Sequence, residues 1–92
     1  MWNILIVDDE EGIRSFLATA LKNVGYNVTT APDGMAALEL IRQNAYHLLI
    51  TDQKMPRMDG MELLRQSKNE APEMEVIMLT AYGSINNAVE AM

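Results

Sequence analysis

At 92 residues, 49% hydrophobic and 22% charged, the chain can fold as one globular domain with a modest core, and this composition places it among globular chains rather than disordered ones. The absence of cysteine excludes a disulfide scaffold, a thiolate metal centre and thiol redox chemistry. A formal charge of -6 weighs against direct nucleic-acid binding, which needs an excess of Lys and Arg facing the phosphates.

The N-terminal MWNILIV has neither the basic flank nor the cleavage site of a signal peptide, and no apolar run approaches the roughly 20 residues of a membrane span. A cytoplasmic chain is expected. Asn3 to Val7 (NILIV) is continuously apolar, as in a parallel strand covered on both faces. After VDDEE, residues Ile13, Phe16, Leu17, Ala20, Leu21 and Val24 recur at helical spacing and predict one buried face of an amphipathic helix, stopped by Gly25. Tyr26 to Ala31 (YNVTTA) is partly polar and suits an edge strand. Asp33 and Gly34 predict a turn, and Ala37, Leu38 and Ile41 a second helix ending near Asn44. Leu48 to Thr51 predicts a buried strand, Asp59 to Glu70 a helix closed by Pro72, and Val76 to Leu79 (VIML) a further apolar strand. Ile85, Ala88, Val89 and Met92 begin a fourth helix.

Strands alternating with helices through short connections imply right-handed crossovers and a parallel sheet with helices on both faces. In such sheets, sites form beyond the carboxyl ends of the strands. The residues at those ends are Asp8 and Asp9, Asp52, and Thr80, so carboxylates and one hydroxyl converge on one rim. Crowded carboxylates either hold protons or gather a cation, and oxygen-only donors with no Cys or nearby His favour Mg²⁺. Asp52, alone at its strand end, is the candidate nucleophile toward phosphorus, with Thr80 placed to donate to a phosphoryl oxygen. Taken singly, each residue has a plainer explanation. Asp8, Asp9, Glu10 and Glu11 could be acids enriched at a helix N-terminus, Asp52 could cap a turn, and Thr80 could be an ordinary strand-end residue. His47 reads as a loop histidine far from the rim, Trp2 as a packing residue, and the eight methionines as core filler.

VDDEE, TDQKMPRMDG and MLTAYGS, in that order and at those strand ends, resemble the receiver domain of two-component response regulators across the whole chain, 1–92. The resemblance implies an α/β, three-layer, flavodoxin-like (CheY-like) doubly wound parallel sheet with strand order 2-1-3-4-5. It also implies phosphorylation of Asp52 by a phosphohistidine on a sensor histidine kinase. Asp9 and Asp52 would then bind Mg²⁺ directly with the backbone oxygen of Lys54, Asp8 would act through water, Thr80 would be the switch hydroxyl, and the Ala81 amide would lie beside it. TAYGSINNAVEAM looks most like receivers of sigma-54-dependent transcription activators of the NtrC type. On this resemblance the chain is a signalling domain rather than an enzyme, catalysing at most its own phosphorylation and dephosphorylation.

The chain departs from the family pattern at its end. The fifth strand and helix, the lysine after that strand and an aromatic switch residue have no counterpart, a difference of roughly 25 residues on ordinary element lengths. The expectation is a receiver shortened to strand order 2-1-3-4, prone to self-association through its fourth strand and helix. Neither Lys54 nor Lys68 replaces the lysine convincingly. Two other classes remain open: a phosphorylation-independent interaction module, and a hydrolase with an aspartyl nucleophile, for which a substrate pocket would be needed.

Overall fold

The first strand, β1 (Asn3–Val7), organises the fold, because its apolar residues must be covered from both sides. A computed structural model describes residues 1–79, so Thr80, Ala81 and the expected fourth helix lie outside the described residues. Along the chain β1 is followed by α1 (Glu11–Val24), β2 (Asn27–Ala31), α2 (Gly34–Gln43), β3 (Leu48–Asp52), α3 (Gly60–Glu70) and β4 (Glu75–Leu79). The strands form one parallel sheet in the order β2-β1-β3-β4, as expected for a doubly wound, flavodoxin-like fold.

Alternate residues of the strands feed two cores. Leu5, Val7, Leu49, Val76 and Met78 pack beneath α2 and α3 with Leu38, Ile41, Leu63 and Leu64. Ile4, Ile6 and Ile50 face the other way, with Ala18 of α1 and the partly buried Leu17, Leu21, Ile77 and Leu79. Each fully buried Leu or Ile contributes about 1.5–3 kcal/mol, so β1, buried from Ile4 to Val7, carries a large share of the core. β2 is mostly exposed and lies at the edge, as its polar residues require.

The ends of the elements follow local hydrogen bonding. Gly25 takes the left-handed conformation (φ 107°) and donates to Lys22, while the Tyr26 N–H donates to the Leu21 carbonyl. Tyr26 therefore spends its amide on closing α1, and β2 begins one residue later than its sequence suggests. Asp33 is not a simple turn residue: its carboxylate caps α2 by accepting from the Ala36 N–H at 2.8 Å. Asp59 likewise precedes α3, accepting from the Glu62 N–H at 2.9 Å.

Two expectations need correction. The α1 stripe of Ile13, Phe16, Ala20 and Val24 does not face the sheet; Phe16 is 72% and Val24 70% exposed. The helix is rolled so that Ala18, between Leu17 and Leu21, meets Ile4 and Ile6, whose bulk already fills that layer and favours a small residue above it. The methionines also divide: Met55, Met58, Met74 and Met78 are buried, whereas Met1, Met35 and Met61 are exposed.

These placements predict contrasting stabilities. Leu63→Ala should cost about 2–5 kcal/mol, because it opens a cavity in a closed core. Phe16→Ala should stay within about 0.5 kcal/mol. Urea unfolding of both variants checks the contrast, and an equally large loss for Phe16→Ala would mean that the outer face of α1 is covered in solution.

Candidate functional site

β1 and β3 run in parallel register with Val7 opposite Thr51, so the next residues, Asp8 and Asp52, emerge side by side. Backbone bonds extend past the strand ends and hold them there: the Asp8 N–H donates to the Ala31 carbonyl at 3.3 Å, and the Gln53 N–H to the Leu79 carbonyl at 2.9 Å. Asp8 is only 2% exposed, Asp52 is half-buried and Asp9 is exposed. One carboxylate oxygen from each of the three lies within 4.8 Å of the others.

The Asp8 carboxylate is fixed by the Glu10 N–H, which donates to Oδ1 at 2.9 Å in a turn typical of aspartate. Burial raises its pKa from the ordinary 3.8; the Glu10 bond opposes this, and the charges of Asp52 and Asp9 add to it. No Lys or Arg forms an ion pair with the three carboxylates among the described residues, where the salt bridges are Arg42–Glu70 and Glu62–Arg65. Arg14 is the nearby residue that sequence reasoning passes over. Its Nη1 donates to the Asp8 backbone carbonyl at 2.6 Å, tying the second turn of α1 to the rim. The only signal in the sequence is a basic residue just after an acidic helix start.

The loop after Asp52 is anchored from below by the buried side chains of Met55 and Met58. Arg57 adopts a positive φ of 68°, and across it the Met58 N–H donates to the Pro56 carbonyl at 2.7 Å, a tight turn that few side chains accept. Gly60 closes the loop by donating to the Gln53 carbonyl at 2.8 Å. A Cβ on Gly60 would lie 2.5 Å from the Asp52 carbonyl oxygen, so any side chain there would push the Asp52 backbone away. Lys54 is exposed in this loop, and no backbone N–H donates to its carbonyl among the described residues. Gln53 Oε1 is buried without a hydrogen-bond partner among them. Lys68 is committed elsewhere, its ammonium donating to the carbonyls of Met74 (2.5 Å) and Pro72 (3.3 Å). Thr80 and Ala81 lie outside the described residues.

An acidic rim at the carboxyl ends of a parallel β2-β1-β3-β4 sheet, with helices on both faces, is the arrangement of a receiver, and residues 4–92 match the response regulator receiver domain family. The chain belongs to that family. It is 39% identical over 90 residues to the transcriptional regulatory protein ZraR of Klebsiella oxytoca, covering 98% of this chain and 20% of ZraR. The chain thus spans about a fifth of that relative's length, and the relatives of this group are response regulators of the NtrC type. Among solved structures, it superposes on the response regulator TrrA of Thermotoga maritima in complex with Mg²⁺-BeF, with TM-score 0.84 and 38% identity over 89% of this chain and 71% of TrrA. TrrA in complex with the histidine kinase ThkA matches equally well, with TM-score 0.84 and 37% identity over 91% of this chain and 72% of the other. Receiver domains are signalling modules rather than enzymes in the usual sense.

The raised pKa of Asp8 has a definite consequence for stability. A carboxyl that holds its proton more tightly folded than unfolded adds stability at low pH and loses it as pH rises through the folded value. At neutral pH without metal, ionised Asp8 therefore opposes folding. Asp8→Asn, which keeps the oxygen that accepts from Glu10, should raise the melting temperature at pH 7 in EDTA and give no gain below about pH 3.8. Thermal melts across pH check this, and a lower melting temperature for the variant at pH 7 would overturn it.

Proposed function

We propose that residues 1–92 form one receiver domain that accepts a phosphoryl group on Asp52 from a phosphohistidine of a sensor histidine kinase. The observation that carries this reading is the convergence of Asp8, Asp9 and Asp52 within 4.8 Å, with no ion-pairing cation among the described residues. An Asp52 oxygen attacks phosphorus; the new O–P bond forms as the N–P bond of the donor imidazole breaks, and the electron pair returns to the ring nitrogen. Crowded oxygen donors of this kind suit a hard divalent ion, and Asp9, Asp52 and the backbone oxygen of Lys54 would hold Mg²⁺ directly, with Asp8 acting through water. The ion would screen the repulsion between the carboxylate and the phosphoryl oxygens. Asp8 also positions Asp9 by drawing the turn tight through Glu10. Thr80 serves as the switch hydroxyl and the Ala81 amide as a phosphoryl donor, roles taken from the receiver motif MLTAYGS. Both the kinase partner and Mg²⁺ are supported by the complexes of TrrA.

The domain catalyses no reaction beyond its own phosphorylation and dephosphorylation. It acts in the cytoplasm, in keeping with the lack of any helix long and apolar enough to cross a membrane among the described residues. Its output is transcriptional, through sigma-54-dependent activation by a segment other than this one, since the charge of -6 disfavours direct DNA contact. Incubation with acetyl phosphate and Mg²⁺ should add one phosphoryl mass to the wild type and none to Asp52→Asn, by intact mass spectrometry, and EDTA should abolish the gain. Equal labelling of the variant would remove Asp52 as acceptor, and no labelling of either protein would favour a phosphorylation-independent interaction module.

Self-association through β4 and the segment after it is the finer partner reading. It is supported by the place of β4 at the end of the strand order and by the partly exposed Ile77 and Leu79. Light scattering should show mass rising with concentration; a constant monomer mass would reject it.

A further inference from the structure

Opposite the carboxylate rim, at the amino ends of the strands, lies a groove of about 620 Å³ whose walls include Trp2, Tyr46, His47 and Pro72 and whose rim carries Glu73 and Glu75. Strands of this length put it roughly 15 Å from Asp52, so it is separate from the phosphoacceptor site. We infer that this groove docks an arginine-bearing peptide segment of a partner protein. The inference does not rest on the phosphorylation reading.

His47 anchors one wall. His47 is held by three hydrogen bonds: its N–H donates to the Asn3 carbonyl at 2.9 Å, its carbonyl accepts from Glu75 at 3.1 Å, and its Nδ1 accepts from the Asn3 N–H at 2.9 Å. An accepting Nδ1 leaves the ring proton on Nε2, so neither nitrogen offers a lone pair and the groove is not a transition-metal site. Trp2 rests against this fixed ring with centroids 5.2 Å apart and planes tilted by 41°, yet remains 55% exposed. A large aromatic surface therefore lies open to solvent beside the fixed His47 ring.

Charge selects the occupant. Glu73 and Glu75 are exposed and form no ion pair among the described residues, and the nearby Lys68 spends its ammonium on the Pro72 and Met74 carbonyls. Two unpaired carboxylates beside an exposed indole repel phosphates and fit a cation with a flat face. A guanidinium meets both demands, stacking on the ring while its N–H fork reaches a carboxylate; a compact, strongly hydrated ammonium meets them less well. The pocket volume is ample for one such side chain with its flanking backbone.

Trp2 is the only tryptophan in the sequence, so its fluorescence reports the groove directly. Titrating the 92-residue chain with a blocked Gly-Arg-Arg-Gly peptide should give a saturable change, and the citrulline counterpart should bind about three- to tenfold more weakly. A Glu73→Gln/Glu75→Gln variant should lose affinity by a similar factor. In NMR spectra the Trp2 indole and His47 ring signals should shift together with the titration. No saturable change, equal binding of the citrulline peptide, or unchanged affinity in the double variant would each overturn the inference.

Discussion

The register between β1 and β3 is the constraint on which the site depends. Pairing Val7 with Thr51 inside a parallel sheet leaves Asp8 and Asp52 adjacent where the backbone ladder runs out. Two like charges brought together, one of them almost wholly buried, oppose folding. Their proximity is imposed by the apolar residues behind them: Leu5, Ile6 and Leu49 are fully buried and set a register that a one-residue slip would destroy by turning each side chain to the wrong face. The repulsion is thus sustained by the core.

The surrounding structure holds this geometry without neutralising it. Arg14 binds the Asp8 carbonyl rather than a carboxylate, and the Glu10 amide steadies one Asp8 oxygen while leaving the other without a protein donor among the described residues. On the other side, Met55 and Met58 sink into the core under α2 and α3 and fasten the loop that follows Asp52. Gly34 lets α2 approach that anchor, since a Cβ there would meet Met58 Sδ at 2.8 Å. The packing layer and the acidic rim are therefore joined through a few side chains of the 53–59 loop.

The two ends of the sheet differ in chemistry because parallel strands have unlike ends. Carboxyl ends gather loops that can converge around a site, and here they bring acids of β1 and β3 together. Amino ends receive the chain returning from the helices, and here His47 is joined through its backbone to Asn3 and Glu75 while Trp2 lies against its ring. One end gathers three carboxylates, and the other leaves an aromatic ring and two glutamates exposed.

Much of this was legible in the sequence because parallel strands declare themselves by continuous apolar runs, and the strand-end rule turns those runs into the positions of Asp8, Asp9 and Asp52. The order β2-β1-β3-β4 was implied by the resemblance to receiver domains, and the polar residues of β2 agreed with its place at one edge. Hydrophobic spacing could not give the roll of α1: it marks a stripe through Ile13, Phe16 and Val24, whereas burial depends on the shape of the sheet beneath, which took Ala18 instead. Arg14 was hidden for a related reason, because its partner is a backbone carbonyl and carries no residue type to match. The sequence by itself determined which residues stand at the strand ends, through local apolar patterning and turn chemistry. Only the tertiary structure decided how closely the carboxylates approach, which one is buried, and where the helix face turns, because those depend on register and packing between segments distant in the chain.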